Sequence, residues 1–140
     1  MFVRSVRNAV PSRPLPAVPP GLSVLESCAE LARFDTDALA VMEGASLRGI
    51  LCERDVIRKC LCAGRNPAST IVAEIMTPDP VTVAADRGLV EALRLMTDGG
   101  FRHLPVTEGG TVIALLSIQD IPAEYRMMAE RFEEYRTTGG

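Results

Sequence analysis

The chain has 140 residues, is 47% hydrophobic and carries a formal net charge of −3, with a pI near 5.2. That is apolar material for one compact domain or two small units sharing a core. It excludes the basic footprint of a DNA- or RNA-binding protein, and no run reaches the roughly eighteen apolar residues of a membrane span.

Residues 1–25 hold Arg4, Arg7 and Arg13 and no acidic residue, a composition shared with transit peptides. A repeat argues for structure instead. Shifted by 65 positions without a gap, the chain falls on itself, apolar on apolar: Val6 on Ile71, Val10 on Ile75, Val18 on Val83, and Gly49–Val56 on Ala114–Ile121. Two copies of one unit predict pseudo-two-fold symmetry with paired clefts. No secretory signal is visible.

In the first copy the periodicity predicts a helix over Leu22–Phe34 that buries Leu25, Cys28 and Leu31 or Ala32. Strands Ala38–Met42 and Leu47–Leu51 flank a turn at Glu43-Gly44-Ala45, and a helix Glu53–Ala63 stops at Gly64. In the second copy the breaker Thr77-Pro78-Asp79-Pro80 precedes an extended Val81–Val83. Helix Asp86–Thr97 then sets Leu89, Leu93 and Met96 on one face, and strands His103–Val106 and Val112–Leu116 form a hairpin. The strands are apolar on both faces, as suits a sheet covered by its own helices on one side and by its twin on the other. The fold class is α+β, with units 3–66 and 67–122 and a C-terminal helix 123–137. In that helix Tyr125, Met128, Phe132 and Tyr135 form a stripe that fits either its own domain or a dimer seam.

Cysteines stand at 28, 52, 60 and 62. Cys28 reads as a small hydrophobe. Cys60-Leu61-Cys62 lacks the second pair that a zinc site needs, and the single histidine, His103, is distant in sequence. No metal site and no disulfide are expected in what reads as a cytoplasmic chain. Of the fifteen basic residues only Lys59 is a lysine; codon bias explains that, as does the use of arginine as a planar anion reader.

Chemistry concentrates at Ser117-Ile118-Gln119-Asp120. The plain reading is a capping box, with Ser117 capping backbone N–H groups and Asp120 reaching back. A functional reading uses the same residues: a helix start offers N–H groups to an anion, and the carboxylate can accept two hydrogen bonds from a ribose diol. Arg102-His103, at a strand entrance, are two potential cations for a phosphate.

Together with the repeat, these residues resemble a CBS-domain pair, or Bateman module. The resemblance is carried by Pro80-Val81-Thr82-Val83, by Phe101-Arg102-His103-Leu104-Pro105-Val106, by Ser117-x-x-Asp120-Ile121 and by the junction Glu74-Ile75-Met76-Thr77-Pro78. The first copy holds the weaker echo Gly49–Val56, and the whole looks most like stand-alone bacterial pairs with a C-terminal helix. The resemblance implies β-α-β-β-α units and clefts between the repeats for adenosine-containing ligands: AMP, ADP, ATP, NAD(H) or S-adenosylmethionine. It implies that Asp120 holds the ribose, that Ser117, Arg102 and His103 lie along the phosphate path, and that Val81 and Leu115 contact the base. In the other copy Asp55 is the matching ribose acid, with Cys52, Thr36 and Asp37 along the phosphate path.

The chain departs from the family pattern at several places. Cys52 replaces a Ser or Thr cap. Asp37 stands where its twin is Arg102, and a carboxylate there repels phosphate. Ala114 replaces a glycine. Pro122 predicts a kink or restart of the last helix. The expected function is therefore a non-catalytic, homodimeric sensor of an adenine nucleotide acting on an unidentified partner protein. The alternative is a structural or dimerisation module with degenerate nucleotide sites. An enzyme is disfavoured, because the chain has no Ser-His-acid set, no G-x-G-x-x-G loop and no metal-ligand cluster.

Overall fold

The computed structural model describes residues 4–138, with the side chains of that range other than those of residue 129 and residues 132–138. The chain divides into two compact units, one of residues 13–80 and one of residues 1–12 with 81–140.

In the 13–80 unit, β1 (Ala17–Val18), α2 (Val24–Phe34), β2 (Ala38–Glu43), β3 (Ser46–Cys52) and β4 (Thr77–Pro78) build a four-stranded sheet in the order β1-β2-β3-β4. β1 runs parallel to β2, and the other pairs are antiparallel. Ser23 starts α2, accepting the Glu26 N–H at 3.1 Å, and its hydroxyl donates to the Glu26 carboxylate at 2.9 Å. α2 buries Val24, Ser27 and Leu31. Leu25 faces outward at 55% exposure, which corrects the expected face by one residue. After β3 a single α-turn, α3 (Glu53–Asp55), continues as a π-helix over Val56–Leu61. Its last turns keep five-residue bonds, Cys62 N–H to Ile57 O at 2.8 Å and Arg65 N–H to Cys60 O at 2.9 Å.

The other unit repeats this plan. α1 (Val6–Ala9) comes from the start of the chain; β5 (Val83–Ala84), α4 (Leu89–Gly99), β6 (His103–Glu108) and β7 (Thr111–Ser117) follow, in a three-stranded sheet β5-β6-β7. The register of 65 holds from helix to hairpin. α2 and α4 match residue for residue, left-handed Asp35 (φ 51°) and Gly100 (φ 70°) end them, and the bulge at Val41/Met42 recurs at Val106/Thr107. β7 runs into a 3-10 turn, Ile118–Asp120, and Ile121 is extended before α5 (Ala123–Thr138) starts afresh beyond Pro122. Tyr125 of α5 is buried in this unit's own core, whereas Met128 is 43% exposed. Phe132 and Tyr135 lie outside the described side chains.

Each copy's leading segment lies in the body of the other. Val6 donates its N–H to Arg87 O at 2.7 Å and Arg7 to Ala85 O at 2.9 Å; Val72 donates to Leu22 O at 2.8 Å and Ala73 to Pro20 O at 3.0 Å. Val6 and Val72, both fully buried, are thus the equivalent residues, a register of 66 rather than 65. Ile71 is instead the counterpart of Ser5, and it is 40% exposed. The same bonds explain why α4 begins at Leu89 and not Asp86: residues 85–88 hold the lead, with Ser5 bridging Gly88 and Leu89 N–H reaching Arg4 O. Thr77-Pro78 is likewise more than a breaker. It is an edge strand on Gly49 and Ile50, where a proline is tolerated, and Val81 lies outside the strand that follows.

Candidate functional site

The closing turn of each copy is built by the same device. In the 81–140 unit, strand residue His103 stands opposite Ser117 in the hairpin, and the Arg102 carbonyl accepts the Ile118 N–H at 2.9 Å. Ser117 Oγ accepts the Gln119 N–H at 3.2 Å. Asp120 turns back, and its Oδ2 accepts the Ser117 N–H at 2.8 Å. The capping box is therefore real, and it holds the carboxylate in one orientation. Ser117, His103 and Asp120 are half-buried, and Arg102 is exposed. Among the described residues neither Arg102 nor Asp120 takes part in an ion pair within 4 Å. Leu115 is buried at 5% exposure opposite Pro105, on the sheet face away from Ala114 and Leu116 of the core. Val81 is 46% exposed. Hairpin and turn bring Arg102, His103, Ser117 and Asp120 to one end of the sheet.

The 13–80 unit reproduces the backbone and changes the chemistry. The Asp37 carbonyl accepts the Glu53 N–H at 3.0 Å, the twin of the Arg102 bond. Asp55 Oδ2 accepts the Cys52 N–H at 3.1 Å and the Cys52 thiol at 3.2 Å. Its Oδ1 meets Lys59 Nζ at 3.0 Å, and the Asp55 side chain is only 8% exposed. Both carboxylate oxygens are engaged. Burial, ahead of the neighbouring Asp55, pushes the Cys52 thiol up from its ordinary pKa, so it serves as a neutral donor and not as a thiolate. Thr36 spends its hydroxyl locally, 3.3 Å from Ala38 O. Asp37 is exposed.

Lys59 is the residue that sequence reasoning missed. The signal was present, because Asp55 and Lys59 stand four apart on a helix, where opposite charges meet. Among the described residues no group of three or more His, Cys, Asp or Glu is arranged to hold a metal. The four cysteines are free.

A family model described as "CBS domain" matches residues 3–61 and 72–124. The chain is similar to CBS domain-containing protein CBSCBSPB3 of Arabidopsis thaliana, 38% identical over 116 residues, which cover 82% of this chain and 21% of that protein. It therefore spans about a fifth of the length of that relative. Among solved structures, a protein with CBS domains from Burkholderia ambifaria superposes with a TM-score of 0.78 at 33% identity, over 84% of this chain and 90% of the other. A CBS domain protein from Pyrobaculum aerophilum, complexed with AMP, superposes with a TM-score of 0.79 at 21% identity, over 91% of this chain and 97% of the other.

Proposed function

The chain belongs to the CBS-domain family, as a pair of CBS domains forming a regulatory module, and from that premise we propose that it senses an adenosine-containing ligand, AMP, ADP, ATP or NAD(H), without transforming it. The observation that carries the reading is the Asp120 carboxylate. One oxygen is anchored by Ser117 N–H, no cation sits on it among the described residues, and Arg102 and His103 share its end of the sheet. A ribose diol can donate to that carboxylate, and the guanidinium and imidazole then face the phosphate. Ser117 hydroxyl lies beside them, with Leu115 and Val81 as apolar contacts for the base. The AMP complex of the Pyrobaculum protein supports an adenine nucleotide as the ligand class.

Binding shifts the module between two states, and an unidentified regulated protein or a second copy of the chain reads the shift. The cytoplasmic, homodimeric form belongs to the same proposal. Four free thiols support a reducing compartment. No helix among the described residues is long and apolar enough to cross a membrane.

Titration calorimetry with AMP, ATP and NADH on the wild type and on Asp120→Ala tests the assignment. A charge-assisted contact is worth about 1.5–3 kcal/mol, so the variant should bind at least tenfold more weakly; equal affinity refutes the site. A second reading, a structural module with degenerate sites, is favoured by the fully engaged Asp55. Thermal melting separates the two. A ligand at a hundred times its Kd stabilises by about 2.7 kcal/mol, and a melting temperature indifferent to every adenine compound selects the structural module.

A further inference from the structure

The two copies offer the same carboxylate in different conditions, and the difference lies in one side chain. Asp55 is buried, with Oδ2 taken by the N–H and thiol of Cys52 and Oδ1 taken by Lys59 Nζ at 3.0 Å. The position matching Lys59 in the other copy is Glu124, an acid. Asp120 is half-buried, and its structural bond uses Oδ2 alone. We propose that Lys59 is an internal occupant of the first copy's site: its ammonium fills the place where a ligand's hydroxyls would meet Asp55, so the chain takes one nucleotide per molecule, at Asp120. This inference rests on the nucleotide reading above and deepens it, naming the residue that closes one of two equivalent sites.

The physical argument is a competition. A diol approaching Asp55 must displace an ammonium from a nearly buried carboxylate and replaces an ion pair with hydrogen bonds from neutral hydroxyls, which leave the buried charge without a counter-charge. At Asp120 no charge has to leave. The surroundings act in the same sense. The carboxylate of Asp37 stands where Arg102 stands in its twin, and the Cys52 thiol stands where Ser117 has a hydroxyl. The Lys59 stem is about half exposed, so its removal leaves the hydrophobic core untouched.

Calorimetry with AMP on the full chain counts the sites. The wild type is expected to bind one AMP, Lys59→Met two, and Lys59→Met combined with Asp55→Asn one again. A wild type that already binds two, one of them lost in Asp55→Asn, overturns the latch and leaves the nucleotide reading intact. A wild type that binds none while Lys59→Met binds one supports the latch and overturns Asp120. No binding by either overturns both. A readout on the wild type alone covers the case in which Lys59→Met folds poorly. On adding AMP, the side-chain carboxyl resonance of Asp120 should shift while that of Asp55 stays in place, and movement of both refutes the inference.

Discussion

Asp55 and Asp120 show how one residue type at one position acquires two characters. Each returns to the N–H three residues before it, which is a backbone requirement, and only Asp55 is also sealed by a cation. Asp55→Ala should therefore cost more stability than Asp120→Ala. It empties a nearly buried carboxylate site and removes its bonds to the Cys52 N–H, the Cys52 thiol and Lys59 together, about 1–3 kcal/mol, whereas the half-buried Asp120 gives up the one bond to Ser117 N–H. Chemical denaturation of the two variants checks the order. The carboxylates of Glu74 and Glu108 carry a pH dependence. The Ile71 N–H bond, helped by Arg65, holds Glu74 below its ordinary 4.5, and Arg7 does the same for Glu108. A group depressed in the folded state stabilises above its unfolded value and ceases to do so as pH falls through the folded one. Both residues tie down a leading segment, so the melting temperature should decline once the pH drops below 4.5. The decline should be modest, because both groups are solvent-exposed. A flat profile there would contradict these contacts.

Among the elements, β4 marks the clearest difference between the copies. A Cβ on Gly49 would lie 2.6 Å from the Thr77 carbonyl and 2.8 Å from Met76 Sδ, so the fourth strand requires a glycine beneath it. Its twin, Ala114, lies on β7, where no fourth strand pairs among the described residues. The Ala114 side chain packs instead in the core of its own unit. Gly49→Ala should therefore displace β4 and cost about 1–3 kcal/mol, while Ala114→Gly should leave the strand pairing in place and cost about 1–2 kcal/mol, through backbone entropy and one lost buried methyl. Thermal melts of the pair would test this. Much of the plan was legible: the hairpins, the end of α2 at Phe34 and the restart after Pro122 all follow from local chemistry, whereas α4 runs to Gly99, two residues beyond the expected Thr97. The π-helix at Val56–Leu61 was not, because its bonding differs from an α-helix by one residue per turn and no side chain announces it. The face of α2 was misread at Leu25 because Ser27, a polar residue, occupies the buried position by bonding its hydroxyl to Val24 O at 2.6 Å.

At the level of the whole molecule, the linear repeats and the compact units are cut in different places. The sequence suggests boundaries at 66 and 67, whereas the folded chain divides after Ser12 and after Pro80. Periodicity finds like segments but not whose core each one fills, and the one-residue change from 65 to 66 in the leads hides the correct match of Val6 with Val72. Deleting residues 1–12 should expose amides of the 81–140 unit to hydrogen exchange and leave those of the 13–80 unit protected. The buried Val6 side chain alone contributes about 1.5–3 kcal/mol. Uniform loss of protection would argue against the division.

The crossed leads have a genetic corollary. An ancestor bearing a single copy, with its lead on this crossed path, would have completed itself by clasping a sibling, each lending its lead to the other. Tandem duplication would then have spliced two clasped siblings into one polypeptide. Either copy produced by itself should still be recovered as a mutually threaded pair, and halves severed at residue 66 should reunite when mixed.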